Sequence, residues 1–276
     1  MNHLLASKKV GFIGCGNMAQ TIIKGWLDSQ ILSASHIFAT NRSPGKLQKF
    51  AEEKKIQTPS SSEQMIEQVD VVVLAMKPQD LLSAIEDFQH AFSENQIVIS
   101  LAAGTPMSVI TKAINAKVRV ARLMPNTPSS IKEGVIGYCT NTRDEELGSF
   151  IEDLFSPLGL VIETEEGEAF EALTVSAASG VGFVFELMIY WREWLEEHGF
   201  DGETASLMTI KTFLGASKLA DQSNKLNLEE LLAKVTSKQG VTAAGLNSMR
   251  ELELERGLRY SFEKAVLRDR ELSKSR

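Results

Sequence analysis

A short apolar strand that runs directly into a glycine turn is the most constraining feature of this chain. Residues Val10–Ile13 are followed by the pattern Gly14-x-Gly16-x-x-Ala19 and then by the amphipathic segment Met18–Leu27. In a strand–turn–helix unit, the first glycine permits the tight turn, and the second removes a side chain that would block a pyrophosphate. The small third residue lets the helix pack close to the strand. The pattern predicts a βαβ unit that binds a dinucleotide, with its phosphates at the helix N-terminus.

The end of the next predicted strand indicates which dinucleotide is bound. The strand-like segment His36–Thr40 ends in Asn41-Arg42-Ser43. A chain that binds NAD usually carries a carboxylate about 20 residues after the glycines, where it accepts hydrogen bonds from the ribose and would repel a 2′-phosphate. No acid stands in Asn41-Arg42-Ser43, and the Arg42 guanidinium can pair with that phosphate. The sequence therefore predicts NADPH as the cofactor, with NADH possible.

Seven short apolar segments alternate with helical patterns up to residue 164. This alternation predicts an α/β fold in which residues 1–164 form an NADP-binding domain with a doubly wound parallel sheet of the Rossmann type. The continuous apolar run Val71–Leu74 is typical of a parallel strand that helices cover on both faces. The predicted strands are Val10–Ile13, His36–Thr40, Val69–Leu74, Ile97–Ser100, Val118–Leu123, Val135–Cys139 and Leu160–Ile162.

Turn-forming residues follow three of these strands, at the edge of the sheet where ligands of open parallel sheets bind. We therefore expect cofactor contacts from them, although each one alone can also serve a turn or a helix cap. Together with the glycine turn they form a predicted cofactor-binding set, which consists of Gly14, Gly16, Asn17, Met18, Asn41, Arg42, Ser43, Met76, Lys77, Pro78, Ala102, Ala103, Gly104 and Asn126.

From Glu165 onward the strands stop and only helical patterns remain, so residues 165–276 are predicted to form a second, all-α domain. The helical patterns cover Glu168–His198, Asp201–Asp221, Leu228–Val235, Thr242–Arg256 and Tyr260–Leu272. The first of them carries apolar side chains around more than one face: Phe183, Phe185, Leu187, Met188, Tyr190, Trp191 and Trp194. Such a helix is usually buried, which favours a homodimer through this domain. A bundle within one chain is the alternative.

Composition excludes several other classes of protein. The 276 residues are 43% hydrophobic and 24% charged, as in soluble globular proteins, and a net charge of −7 gives no general basic surface for nucleic acid. The run Val71–Met76 is too short to cross a membrane, and Met1–Val10 lacks the apolar centre of a signal peptide, so a cytoplasmic protein is expected. Cys15, Cys139 and four scattered histidines show no metal-ligand spacing, so no metal is expected.

The motifs taken together resemble the pyrroline-5-carboxylate reductase family over nearly the whole chain. The resemblance implies reduction of the cyclic imine 1-pyrroline-5-carboxylate to L-proline by hydride transfer from NADPH, the last step of proline biosynthesis. It also implies a homodimer or a higher homo-oligomer. The motifs that carry it are Gly14-Cys15-Gly16-Asn17-Met18-Ala19, Asn41-Arg42-Ser43, Lys77-Pro78-Gln79, Ala103-Gly104, Met124-Pro125-Asn126-Thr127-Pro128, Ala178-Ser179-Gly180 and the segment from Ser237 to Leu246.

The same resemblance implies a substrate loop in the second domain. In the family this loop binds the pyrroline carboxylate, and a threonine that aligns with Thr242 lies beside the imine. The resemblance thus implies Ser237, Gly240, Val241 and Thr242 as substrate-binding residues and Thr242 as the catalytic one. Backbone amides before a helix that starts near Thr242 would also favour an anionic carboxylate.

Two departures from the family pattern leave the substrate open. The family's Pro-Gly pair after the loop serine is Lys238-Gln239 here, and Val181 and Phe183 replace a serine and a proline. Loss of proline and glycine changes the backbone angles available to the loop. One alternative is therefore a paralogous NADPH-dependent reductase of another cyclic imine. Another is a noncatalytic NADPH-binding regulatory protein, which the retained Thr242 disfavours.

Overall fold

The computed structural model describes residues 5, 7–94, 96–114, 116–141, 145–223 and 227–274. Part of the segment Met1–Val10, which was considered for a signal peptide, lies outside the described residues. Contacts divide the chain into two compact units at Ser179 and Gly180, and the C-terminal segment from Val266 belongs to the first unit. The domain boundary after residue 164 stays a prediction.

The first unit is a seven-stranded sheet with helices on both faces, so the predicted α/β fold is confirmed. All seven predicted strands are present, near their predicted bounds. They are β1 Val10–Ile13, β2 Ile37–Thr40, β3 Val71–Leu74, β4 Ile97–Ser100, β5 Arg119–Met124, β6 Gly134–Thr140 and β7 Gly159–Glu163, in the spatial order β2-β1-β3-β4-β5-β6-β7. The helices of this unit are α1 Asn17–Asp28, α2 Pro44–Lys54, α3 Ser62–Ile66, α4 Pro78–Phe88, α5 Met107–Ile114, α6 Glu145–Phe155 and α7 Glu168–Leu173.

One edge of the sheet departs from the predicted parallel arrangement. Strand β6 runs antiparallel to β5, with Leu123 opposite Tyr138, and β7 is parallel to β6. Between β5 and β6 the chain forms only the short 3₁₀ turn Thr127–Ile131. A parallel neighbour needs a crossover of about a dozen residues or more, usually through a helix, so this short connection turns the chain back instead. The predicted parallel sheet is confirmed for β1 to β5, whereas β6 and β7 run in the opposite direction.

Two buried layers lie on opposite faces of the sheet, as strand alternation requires. Val71 and Val73 belong to one layer, whereas Val72 and Leu74 belong to the other. All four side chains are fully buried, which confirms that helices cover this strand on both faces. Trp26 of α1 anchors the helix after the glycine turn: its indole nitrogen donates a 2.7 Å hydrogen bond to a backbone carbonyl of α6. This contact fixes the helix whose N-terminus faces the predicted phosphate site.

The described chain from Glu168 onward is helical, but the bounds of several observed helices differ from the predicted ones. The predicted helix Glu168–His198 is divided into α7, a π-helical turn Thr174–Ser179 and helix α8 Gly180–Glu197. The predicted Thr242–Arg256 ends early, because Glu253 has a left-handed φ of 51°, which no helix can continue through. The remaining helices are α9 Gly202–Asp221, α10 Leu228–Lys234, α11 Val241–Glu251 and α12 Leu254–Lys274.

Helix α8 leaves its aromatic side chains uncovered in the single chain. Phe185 is 58% exposed and Trp194 is 56% exposed, while Trp191 contacts Phe213 of α9 edge-on at a ring distance of 5.5 Å. By length and composition alone, the helical run Glu168–Glu197 is apolar enough to cross a membrane, which the sequence reasoning overlooked. A helix that pairs with another subunit passes the same test. Contacts within the chain therefore do not account for the apolar surface of α8.

Candidate nucleotide-binding cleft and substrate loop

A cleft of about 1370 Å³ opens at the carboxyl ends of β1, β2 and β3. The chain passes from β2 across β1 to β3, so this is the point where the strand order reverses, the usual ligand crevice of an open α/β sheet. Half of the predicted cofactor-binding set lines this cleft: Gly14, Gly16, Asn17, Asn41, Arg42, Met76 and Lys77.

Gly14 is required by its backbone angle and by its neighbours. Its φ is +94°, and a Cβ atom there would lie 2.9 Å from the carbonyl carbon and oxygen of Ala75. Its N–H donates a 2.9 Å hydrogen bond to the carbonyl of Thr40, which ties the turn to the end of β2. Any larger residue would push the β1 and β3 ends apart. The sequence assignment of Gly14 to the tight turn therefore has a direct steric basis.

Gly16 leaves open space where a pyrophosphate would approach. No heavy atom lies within 4 Å of the position that its Cβ would take. Gly16 is also the N-cap of α1, and it provides no side-chain hydrogen bond to the first turn of the helix. The amides at a helix N-terminus carry partial positive charge and bind anions. The cradle fits the diphosphate of a dinucleotide, and Gly14, Gly16 and Asn17 are the residues that would hold it.

Cys15, between the two glycines, is part of the fold and not a nucleophile. Its side chain is buried, and this burial raises the pKa of the thiol to about 11. The thiol is therefore protonated at neutral pH and unreactive. The side-chain amide of Gln20 donates a 3.1 Å hydrogen bond to the Cys15 carbonyl and holds the turn in place. Within the described residues, no cluster of three histidine, cysteine or acidic side chains is arranged to hold a metal ion.

Arg42 projects from the turn between β2 and α2. The Asn41 side chain donates a 3.2 Å hydrogen bond to the Ser43 carbonyl, and Ser43 is the N-cap of α2. The Arg42 side chain is 87% exposed, and its guanidinium lies 3.7 Å from the carboxylate of Asp80 at the start of α4. Lys77, the N-cap of α4, lines the same cleft. Two cations thus stand at the cleft where the sequence places them.

The cleft also contains residues that the sequence reasoning missed. Thr40 and Ser62 share a 3.0 Å hydrogen bond between their hydroxyls, and Ser60 donates a 2.7 Å hydrogen bond to Gln64. Thr40, Ser60 and Ser62 line the cleft together with Lys46 and Asp80 and give it a polar wall. Lys46 lies in the first turn of the helix after Arg42, and this short spacing is a sequence signal that could have identified it.

The remaining members of the predicted set lie beside the cleft, not in its lining. Met18 packs against the core, Ser43 and Pro78 begin or precede helices, and Ala102 is buried with its N–H donating to the Ser100 hydroxyl at 3.3 Å. Ala103 and Gly104 continue this turn at the carboxyl end of β4, where Gly104 has a φ of +65°. Cofactor contacts from these residues stay predictions.

The side chain of Asn126 is engaged within the protein. It is buried, its Nδ2 donates to the Ala177 carbonyl at 3.1 Å, and its Oδ1 accepts from the Val135 N–H at 2.9 Å. It thereby joins the end of β5 to β6 and to the π-helical turn. The geometry gives the Asn126 amide a bridging role, and its contact with the cofactor stays a prediction.

An ion pair between the buried Arg122 and the partly exposed Glu166 lies at the start of α5, the helix that follows the turn at Ala102–Gly104. One carboxylate oxygen of Glu166 accepts hydrogen bonds of 2.8 Å from the Arg122 guanidinium and 2.8 Å from the Met107 N–H, the first residue of α5. Arg122 also stacks over the ring of Phe170 at 4.6 Å. Glu166 therefore accepts the hydrogen bond of a backbone N–H that has no partner within α5, because it belongs to the first turn of that helix. Sequence reasoning did not find this network, because its members come from distant segments.

The predicted substrate residues form one turn at the start of α11 in the second unit. The Gly240 N–H donates a 3.1 Å hydrogen bond to the Ser237 carbonyl, and Gly240 is the N-cap of the helix, without a side-chain cap. Val241 is 94% exposed in the single chain, and Thr242 is exposed beside it. Gln239 has a left-handed φ of 58°, at a position where the family pattern has glycine. The turn leaves helix N-terminal amides and the Thr242 hydroxyl available to an anionic ligand.

Two family models match the chain, one on each predicted domain. A model described as "NADP oxidoreductase coenzyme F420-dependent" matches residues 9–104, and one described as "Pyrroline-5-carboxylate reductase dimerisation" matches residues 167–272. The second match includes helix α8. The exposed aromatic side chains of α8 thus belong to a region that joins subunits in the matched family.

Relatives that match over their full length are named pyrroline-5-carboxylate reductase. The pyrroline-5-carboxylate reductase of Vibrio alginolyticus is 31% identical over 97% of this chain and 98% of that protein. The solved pyrroline-5-carboxylate reductase of Coxiella burnetii is 32% identical, with a TM-score of 0.89 over 97% of this chain and 99% of that one. A Plasmodium falciparum pyrroline carboxylate reductase, solved with NADP bound, is 20% identical and shares the fold, with a TM-score of 0.85 over 98% and 99% of the two chains. This chain belongs to the pyrroline-5-carboxylate reductase family.

Proposed function

We propose that this chain reduces 1-pyrroline-5-carboxylate to L-proline with NADPH, the last step of proline biosynthesis. The observation that carries the proposal is its full-length likeness to reductases of this name, in a chain that has both the glycine-turn cleft and the Ser237–Thr242 turn. When bound, the nicotinamide cofactor would supply a hydride to the carbon of the carbon–nitrogen double bond, and the nitrogen takes up a proton.

The residues of the chain contribute binding and orientation. Gly16 leaves room for the pyrophosphate, and the amides of α1 stabilise its charge. In the second unit, the amides around Gly240 and Val241 hold the substrate carboxylate, and the Thr242 hydroxyl donates a hydrogen bond to the imine nitrogen. Fixing both partners in a reactive orientation lowers the entropic barrier of the transfer.

Turnover tests the proposed reaction. Purified protein mixed with NADPH and 1-pyrroline-5-carboxylate should consume NADPH and release proline. Thr242→Ala should lower kcat/KM by about tenfold or more and leave the Kd of NADPH within about twofold. An absence of turnover across neutral pH, in protein that binds NADPH, would overturn the proposed substrate.

A second candidate function is the reduction of a different cyclic imine. It is favoured by Gln239 at a position that is glycine in the family pattern, and by Phe183, whose ring packs against Phe262 at 5.5 Å where the family has proline. A panel of cyclic imines with and without a carboxylate separates the two candidates. Tight NADPH binding without turnover of any imine would instead favour a noncatalytic regulatory protein.

We also propose a homodimer or higher homo-oligomer in the cytoplasm, with neither nucleic acid nor membrane as a partner. The exposed aromatic side chains of α8 and the matched dimerisation region support this assembly. Phe185→Asp should shift the mass measured by light scattering towards the monomer, since it places a charge in the apolar interface. Ile131→Asp, at a residue that is also exposed but outside the matched region, is the control. A monomeric wild-type protein at micromolar concentration would contradict the assembly.

A further inference from the structure

The ion pair between Arg42 and Asp80 joins the two sides of the nucleotide cleft. Arg42 follows β2 and Asp80 stands in the first turn of α4, which follows β3, and these two strands flank β1 on opposite sides. The guanidinium and the carboxylate are 3.7 Å apart, and both residues line the cleft. An acid thus faces the cation that was assigned to the 2′-phosphate, although no acid stands in the sequence position where NAD-binding chains usually carry one.

We propose that Asp80 is a specificity-determining residue that weakens the preference for cofactors with a 2′-phosphate. This inference rests on the proposed role of Arg42. In the free protein the Asp80 carboxylate lies 3.7 Å from the guanidinium, so a phosphate that binds Arg42 must either displace this carboxylate or lie close to it. Like charges at such distances repel. A cofactor with a ribose hydroxyl in place of the phosphate meets no such repulsion, and a carboxylate can accept its hydrogen bond.

Other charged groups line the same cleft, and they define the controls. The cations are Arg42, Lys46 and Lys77, and the acids are Glu52, Glu63, Asp80 and Asp87. Among the described residues, Asp80 is the one acid that pairs with Arg42. Asp87 lies on the same helix, about 10 Å farther along its axis. Exposed charges are screened beyond about 8 Å at physiological salt, so Asp87 should act on both cofactors alike.

The test is a binding titration of the wild-type protein and Asp80→Asn with NADPH and NADH. Asparagine keeps the shape of the side chain and removes its charge. The ratio of the NADH Kd to the NADPH Kd should rise about three- to tenfold in Asp80→Asn, and the rise should shrink in about 1 M salt. The same titration with adenosine 2′,5′-bisphosphate and AMP isolates the phosphate from the nicotinamide. Asp87→Asn should leave the ratio within about twofold.

Arg42→Ala separates failure of this inference from failure of the phosphate assignment. A selective loss of NADPH affinity in Arg42→Ala, with an unchanged ratio in Asp80→Asn, would overturn the role of Asp80 alone. Equal losses for NADPH and NADH in Arg42→Ala would overturn the phosphate assignment and the inference with it. Binding titrations do not depend on the imine, so neither result depends on the proposed substrate.

Discussion

The side-chain amide of Asn126 donates a 3.1 Å hydrogen bond to the backbone carbonyl of Ala177. Asn126 follows β5, and Ala177 lies in the π-helical turn Thr174–Ser179. A π-helical turn is rare and is frequently found at functional sites. Asn126 therefore has a structural role in its motif. Its side chain holds the π-helical turn that precedes Gly180.

Asn126→Ala should destabilise the protein substantially. The substitution leaves the Val135 N–H and the Ala177 carbonyl without their partner in a partly buried site, and an unsatisfied buried group costs about 1–3 kcal/mol. We expect the free energy of unfolding to fall by about 2–4 kcal/mol in urea denaturation. Asn41→Ala, which removes an exposed hydrogen bond to Ser43, should cost under about 1 kcal/mol. Unchanged stability with lost NADPH affinity would instead assign Asn126 to the cofactor.

The Arg122–Glu166 pair should behave as a coupled unit. Glu166→Gln keeps an acceptor for the Met107 N–H but leaves the buried guanidinium without a countercharge, so we expect a loss of about 3 kcal/mol in unfolding free energy. In the Arg122→Met background the same change should cost much less, because no unpaired charge remains. A double-mutant cycle of urea unfolding measures this coupling. Additive losses would show that the two side chains act independently.

The sequence predicted the strands and the glycine turn, because both are encoded locally. Each strand is a short apolar run, and Gly14 and Gly16 are fixed by backbone angle and open space at their own positions. The direction of β6 was missed, since alternation and apolar content are the same in parallel and antiparallel strands; the short connection before Gly134 was the available signal. The Arg42–Asp80 and Arg122–Glu166 pairs were missed because they join segments that only the tertiary fold brings together.

The left-handed backbone of Gln239 predicts how the proposed substrate loop responds to substitution. A residue other than glycine at a φ of 58° is strained, and this strain lowers the stability of the folded state by about 1 kcal/mol. Glycine removes the strain but makes the unfolded chain more flexible, which lowers stability by a similar amount. Gln239→Gly should therefore stay within about 1 kcal/mol of wild type, whereas the β-branched Gln239→Val should lose about 1–2 kcal/mol. Thermal unfolding measures both, with Lys238→Val as the matched control. Equal stability of the two Gln239 variants would contradict the left-handed geometry.

Buried thiols predict a loss of stability at high pH. Burial raises the pKa of Cys15 to about 11 and that of Cys139 to about 12, from an ordinary value of 9.0. Both pKa values are higher in the folded than in the unfolded state, so the stabilisation is fully present below pH 9.0 and is lost as the pH rises through the folded values. Urea unfolding at increasing pH should show this fall, superimposed on the titration of lysines and tyrosines. Cys15→Ala should reduce the slope above pH 9.0, whereas an unchanged slope would show that the thiol titrates alike in both states.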